Sequence, residues 1–229
     1  MKKVLSVAEP DYNTTNRLSF TAYIFDLDGT LLDSMDIWER IDIEFLEKRG
    51  IAIPSNYIST VMPMTFAEAA AYTIRRFNLP DSIEDLTLEW NSMAAQAYTN
   101  ASLKPHAKEY LTTIKNRGAK LAVAISLPAR LYEPALRANN IYDIFDTLCS
   151  TDEVAHGKTH SDIFLLAAKR LGETPINCIV FEDILAAVKS AKGIGMTVCG
   201  VYDNSSAKDW PEIKKIADSV IVDFKHAPL

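Results

Sequence analysis

Ile24-Phe25-Asp26-Leu27-Asp28-Gly29-Thr30-Leu31-Leu32 is the stretch from which the fold of this chain is read. Apolar residues and Tyr23 run up to Asp26, and Gly29 follows soon after, the pattern of a buried strand that ends at the solvent. Residues two apart in a strand project to one side, so Asp26 and Asp28 bring two carboxylates together unless the backbone turns between them. Two such anions repel, and a divalent cation held by hard oxygen ligands is the simplest compensation. Taken alone, the same residues also suit a solvated turn. A calcium loop fits worse: it wants a further oxygen ligand between Asp28 and the glycine, and a helix ahead of it instead of an apolar β-type run.

At 229 residues, 48% of them hydrophobic and 24% charged, the chain can bury one large core, or one core that carries an insertion. A formal net charge of -6 argues against nucleic acid or an anionic membrane as partner. An anionic small substrate would need cations placed locally. Cys149, Cys178 and Cys199 are an odd, widely spaced set, each in or beside an apolar run, and read as buried free thiols in a reducing compartment. The apolar residues 4–8 break at Glu9-Pro10, too soon for a secretory signal, and no run approaches membrane-spanning length. A cytoplasmic location is expected.

Residues 1–20 are polar and mixed and read as a tail outside the core. A first strand is expected over 22–25. After Asp33-Ser34, a helix start, Ile37, Ile41 and Phe45 recur at helical spacing up to Gly50. Residues 66–77 are alanine-rich and close at Asn78-Leu79-Pro80, and 83–98 carries Leu86, Trp90, Met93 and Ala97 on one face. From Lys104 onward the character changes. Helices are expected at 106–117, 129–138, 162–171, 184–192 and 207–217, and strands at 120–125, within 143–149, and at 178–181, 196–201 and 219–222.

Short, wholly apolar strands alternating with helices specify a parallel sheet covered on both faces. The first strand precedes the helical block. The expected organisation is therefore an α/β core of residues 21–33 and 104–229, interrupted by an all-helical cap of residues 34–103. Ligands of such sheets bind beyond the carboxyl ends of the strands. There the sequence places Asp26 and Asp28 after the first strand, Ser126 after 120–125, and Glu182-Asp183 after 178–181, with Gly157-Lys158 ahead of a helix.

These residues carry a resemblance. The run from Asp26 to Ser34 resembles the first motif of the haloacid dehalogenase superfamily, in its phosphatase and phosphoglucomutase-like branch. Gly157-Lys158 with residues 161–168 resembles its lysine motif, and 179–183 with 191–196 its acidic motif. The similarity spans residues 23–224. It implies a Rossmann-like core with a helical cap, bound Mg²⁺, and a small phosphorylated metabolite, of sugar-phosphate type, as substrate. Carried over by motif, Asp26 is the nucleophile that forms an aspartyl-phosphate, and Asp28 the general acid and base. Lys158 neutralises Asp26 and the phosphoryl oxygens. Asp26, Asp28 through its backbone carbonyl, Asp183 and Glu182 are the implied metal ligands, and Gly29, Thr30 and Ser126 are placed at the substrate.

The chain also departs from the family pattern. Its second-motif hydroxyl residue aligns with Ile125, one position before Ser126, so either Ser126 substitutes or backbone amides alone bind the phosphate. The lysine motif lacks its usual prolines, Ile184 replaces a small hydroxylated residue, and His106 stands where glycine is common. Trp38, Met62, Met64, Arg75 and Arg76 are candidate cap residues at the substrate. A phosphomutase shares every core residue, and a non-catalytic binding descendant is the alternative of another class.

Overall fold

The computed structural model describes residues 19–229. The expected tail lies almost entirely outside the described residues, as does the side chain of Trp38. Numbered in chain order, the main sheet comprises β1 (Ala22–Phe25), β4 (Lys120–Ile125), β5 (Thr147–Ser150), β6 (Cys178–Glu182), β7 (Thr197–Val201) and β8 (Ser219–Ile221). All pairings are parallel, in the order β5-β4-β1-β6-β7-β8. The chain winds outward on one side of β1, then returns to wind outward on the other. β1 is thus the topological switch point, where such sheets open a crevice for ligands.

Alternation along the strands divides the core in two. Tyr23, Phe25, Val123, Ile125 and Phe181 are buried on one face, with Phe25 and Phe181 stacked at 4.7 Å between centroids. α5 (Ala107–Asn116) and α6 (Ala129–Ala138) cover that face through Tyr110, Leu111, Leu131 and Ala135. Ala22, Ile24, Ala124 and Val180 pack on the other, beneath α7 (Asp162–Leu171), α8 (Leu185–Gly193) and α9 (Trp210–Ile216). Cys149, Cys178 and Cys199 are buried and free.

The helical block comprises α1 (Met35–Glu47), α2 (Tyr57–Val61), α3 (Phe66–Phe77) and α4 (Ile83–Thr99). Two short antiparallel strands, β2 (Leu32–Asp33) and β3 (Ser102–Leu103), carry the chain out to it and back. A capping box of Thr65 and Glu68 starts α3, and Asn78 in the left-handed conformation ends it. Arg49 fastens the end of α1 to Asp81 and Glu89, each at 2.7 Å. α2 has no counterpart in the sequence reading, because three of its five residues, Ile58, Thr60 and Val61, are β-branched and helix-averse. α9 starts at Trp210, later than expected, since turns fill the preceding residues. His106 sits at φ +60, which explains why glycine suits this position, and its ring nitrogen meets Asp223 at 2.8 Å.

Candidate active site

Asp26 follows the last residue of β1 and is 3% exposed; its N–H donates to Phe181 O, so the backbone fixes it beside the end of β6. Lys158 reaches it from the loop before α7. This lysine is 1% exposed, and its Nζ contacts both Asp26 Oδ1 and Glu182 Oε1. The other oxygen of Glu182 accepts the N–H groups of Asp183 and Ile184 at 2.9 and 3.0 Å. Glu182 thereby holds Lys158 and the turn after β6.

Asp183 is fully buried. Its Oδ1 accepts the Thr30 hydroxyl at 3.0 Å, while Oδ2 has no hydrogen-bond partner. Thr30 and Gly29 were both expected at the substrate, and neither lines the cavity described below. The Thr30 hydroxyl is consumed by Asp183. Gly29 adopts φ +75, and a Cβ there would lie 2.6 Å from Asp183 Oδ2, so this turn needs glycine for its conformation and for its clearance.

Asp28 is held separately. Ser34 Oγ donates to its Oδ1 at 2.6 Å, and Tyr98, a buried residue near the end of α4, lies against its carboxylate. Burial and that contact raise the Tyr98 hydroxyl well above its ordinary pKa. A cap helix therefore helps to place this carboxylate, a role for Tyr98 that no spacing in the sequence announces.

Electrostatically the cluster is one cation short. Burial, opposed by Lys158 and reinforced by Glu182 and Asp28, raises the Asp26 carboxyl well above its ordinary value. Burial, Glu182 and Asp26 do the same to Asp183. Burial alone would depress Lys158, but Asp26 and Glu182 outweigh it and hold its pKa raised, so the lysine stays charged. One ammonium faces three buried carboxylates, and oxygens of Asp26, Glu182 and Asp183 lie within 4.8 Å of one another. The unpartnered Asp183 Oδ2 completes a hard-oxygen donor set that fits a divalent cation.

Above the cluster is a cavity of about 120 Å³, lined by Asp26, Asp28, Lys158 and Ser126 on the core side and by residues of α1 to α4 on the cap side. Ser126 Oγ is buried there without a hydrogen-bond partner among the described residues. Ile125 packs in the core with Val123, two residues before it on the same side of β4. Of the cap candidates, Met62 and Met64 line the cavity; Arg75 is exposed, and Arg76 is spent on Tyr72 and Asn56.

The cap is seated on the core. Lys158 N–H donates to Pro63 O at 3.1 Å, and a Cβ on the neighbouring Gly157 would lie 2.8 Å from Pro63 O and 2.9 Å from Thr65 N. Backbone on backbone leaves no soft neighbour to yield. Gly157→Val is expected to hold the cap off the core and lower kcat/KM for a phosphate ester by about 10²-fold. Steady-state kinetics would show it, alongside a thermal melt that stays near the wild-type value.

Comparison with known proteins agrees with this architecture. A family model described as haloacid dehalogenase-like hydrolase matches residues 23–201. The (DL)-glycerol-3-phosphatase 1 of Arabidopsis thaliana is 27% identical over 217 residues, covering 91% of this chain and 73% of that protein. The phosphorylated carbohydrates phosphatase of Thermotoga maritima is 27% identical over 176 residues, covering 76% and 82%. Among solved structures, CbbY of Rhodobacter sphaeroides in complex with phosphate shares the fold with a TM-score of 0.80 at 24% identity, over 90% of this chain and 96% of that one.

Proposed function

The chain belongs to the haloacid dehalogenase-like hydrolases, in their phosphatase branch, and on that premise we propose that it is a Mg²⁺-dependent phosphatase that hydrolyses a small phosphorylated metabolite through an aspartyl-phosphate on Asp26. The observation that carries this reading is the buried contact of Lys158 with Asp26 beside the unpartnered oxygen of Asp183. Relatives named for glycerol-3-phosphate and for phosphorylated carbohydrates support a phosphate ester of a small alcohol.

Each step falls to a residue of the site. Asp26 attacks phosphorus, and the bond from phosphorus to the ester oxygen breaks. Asp28, held by Ser34 and Tyr98, gives its proton to the departing alkoxide. It then takes a proton from water as that water attacks phosphorus, and the acyl-phosphate bond breaks to release inorganic phosphate and restore Asp26. Lys158 and the Ser126 hydroxyl face the phosphoryl oxygens, and Glu182 keeps Lys158 in place. Asp26, Asp183 and the Asp28 backbone carbonyl would hold Mg²⁺, which lets an anionic nucleophile approach an anionic ester.

Measuring phosphate release and isomer formation from the same sugar phosphate, with Mg²⁺ and with a chelator, tests this reading. Metal-dependent phosphate release supports it; isomer formation without release would make the protein a mutase, and metal-independent release would remove Mg²⁺ from the account.

Metal binding has a further consequence for stability. Raised carboxylate pKa values mean that the folded protein binds more protons than the unfolded chain, so stability without metal falls as pH rises from about 4, the ordinary carboxylate value. The cation competes with those protons and binds better at higher pH. At about 100 times its Kd, Mg²⁺ is expected to add about 2.7 kcal/mol, with a larger rise in Tm at pH 8 than at pH 5. Thermal melts at the two pH values check the sign.

A further inference from the structure

The cap side of the cavity is chemically unlike a sugar site. Ile58, Val61, Met62, Met64, Phe66 and Trp90 line it. A polyhydroxylated leaving group would bring several hydroxyls against this wall, and those that do not reach Asp42 or Thr65 would lose water without gaining a partner. Thr65, the hydroxyl residue on that side, accepts the N–H of Glu68, which leaves it a single proton to donate. One charged side chain interrupts the wall: Asp42, from α1.

Asp42 has no ion-pair or hydrogen-bond partner among the described residues. The arginines of the cap do not supply one. Arg40 is exposed and faces Asp36, Arg49 is bound to Asp81 and Glu89, Arg76 to Tyr72 and Asn56, and Arg75 is exposed. Burial alone pushes the Asp42 carboxyl up to about 7. Lys158, the ammonium of the core side of this cavity, is paired with Asp26 and Glu182. A carboxylate set in an apolar wall costs stability wherever nothing offsets it. A proton offsets that cost by neutralising the group, and a cation bound beside it offsets it with the carboxylate kept charged.

We propose that Asp42 receives a cationic nitrogen of the substrate, so that the preferred phosphomonoester is one whose alcohol carries an ammonium group on a short apolar chain. The phosphate would lie among Asp26, Lys158 and Ser126, the chain along Met62, Met64 and Phe66, and the ammonium at Asp42. Such a ligand matches the cavity lining in both charge and polarity: anionic for the lysine and hydroxyl of the core side, apolar for the cap wall, cationic for the Asp42 carboxylate. This assignment rests on the phosphatase reading for the identity of the anionic end.

The test uses pairs of alkyl phosphates of graded chain length that end either in an ammonium or in a methyl group of the same size. They are titrated calorimetrically into the Mg²⁺-loaded Asp26→Asn protein, which binds without turnover. The proposal expects, at one chain length or more, about tenfold or tighter binding of the ammonium member. Adding Asp42→Asn should bring that ratio close to one. Adding Asp42→Leu, which removes a desolvated charge and so should fold at least as stably, should reverse it in favour of the methyl member. Equal or weaker binding of the ammonium member at every length, or a ratio that survives both substitutions, would overturn the proposal. Hydrolysis of p-nitrophenyl phosphate by the wild type reports separately on the phosphatase reading: turnover without ammonium preference removes this assignment alone, whereas ammonium preference without turnover keeps the binding site and removes the enzyme.

Discussion

Asp26→Asn is expected to yield a folded protein whose phosphate release is slower by on the order of 10⁴-fold or more. The amide has the shape of the carboxylate but not its nucleophilic lone pairs, so the bond from Asp26 to phosphorus cannot form. The same substitution removes one of three buried carboxylates that face a single ammonium. Metal-free stability should therefore hold or rise, because burial and neighbouring acids already disfavour the ionised form of Asp26. Loss of activity together with an undiminished melting temperature separates a missing nucleophile from a misfolded chain. Turnover within tenfold of the wild type would remove Asp26 from the chemistry.

Lys158→Met should cost both activity and stability. Its ammonium is fully buried between Asp26 and Glu182, and methionine fills most of its volume without its charge. Breaking a buried ion pair from one side leaves the opposite charges uncompensated, at a cost of about 3–5 kcal/mol. Glu182 would retain its bonds to the amides of Asp183 and Ile184, but Asp26 would lose the cation that faces it among the described residues. Urea unfolding in chelator should show that loss, and added Mg²⁺ should recover part of it. Turnover should fall by about 10²-fold or more, since the phosphoryl oxygens lose their fixed positive charge. Unfolding at the wild-type urea midpoint would mean that Lys158 does not compensate the cluster.

Much of this arrangement could be read from the chain because the signals were local. The apolar run before Asp26, the glycine at 29 and the acids after β6 each announce a strand that ends at chemistry. α3 and α7 were bounded correctly because Asn78 and Gly172 mark their ends with left-handed turns. β4 was clear from its apolar run, and its alternation explains the choice between Ile125 and Ser126: the isoleucine is on the packed side with Val123, and the serine lies past the strand end at the cavity.

The missing parts depended on contacts between distant segments. Tyr98 looks like one more apolar residue of a helix, and only folding brings it to Asp28. Asp42 looks like the solvated face of α1 until the cap closes around it. Thr30 and Gly29, placed at the substrate in the sequence reading, meet Asp183 across the turn, a contact between segments 153 residues apart for Thr30. Glu182, expected as a metal ligand, lies in the acidic cluster with Asp26 and Asp183, and its bonds to Lys158 and two amides are what the sequence does not show. Gly157 matters through the backbone of Pro63 and Thr65, segments of the cap that nothing in the lysine motif indicates.

The most direct measurement is to quench the enzyme in acid during turnover of a phosphate ester, reduce the mixture with borohydride, and sequence the peptides by mass spectrometry. An acyl-phosphate on Asp26 is reduced to homoserine, so the account predicts homoserine at position 26, dependent on substrate and absent from Asp26→Asn. Phosphate release with position 26 left as aspartate, or homoserine at position 28 instead, would contradict it.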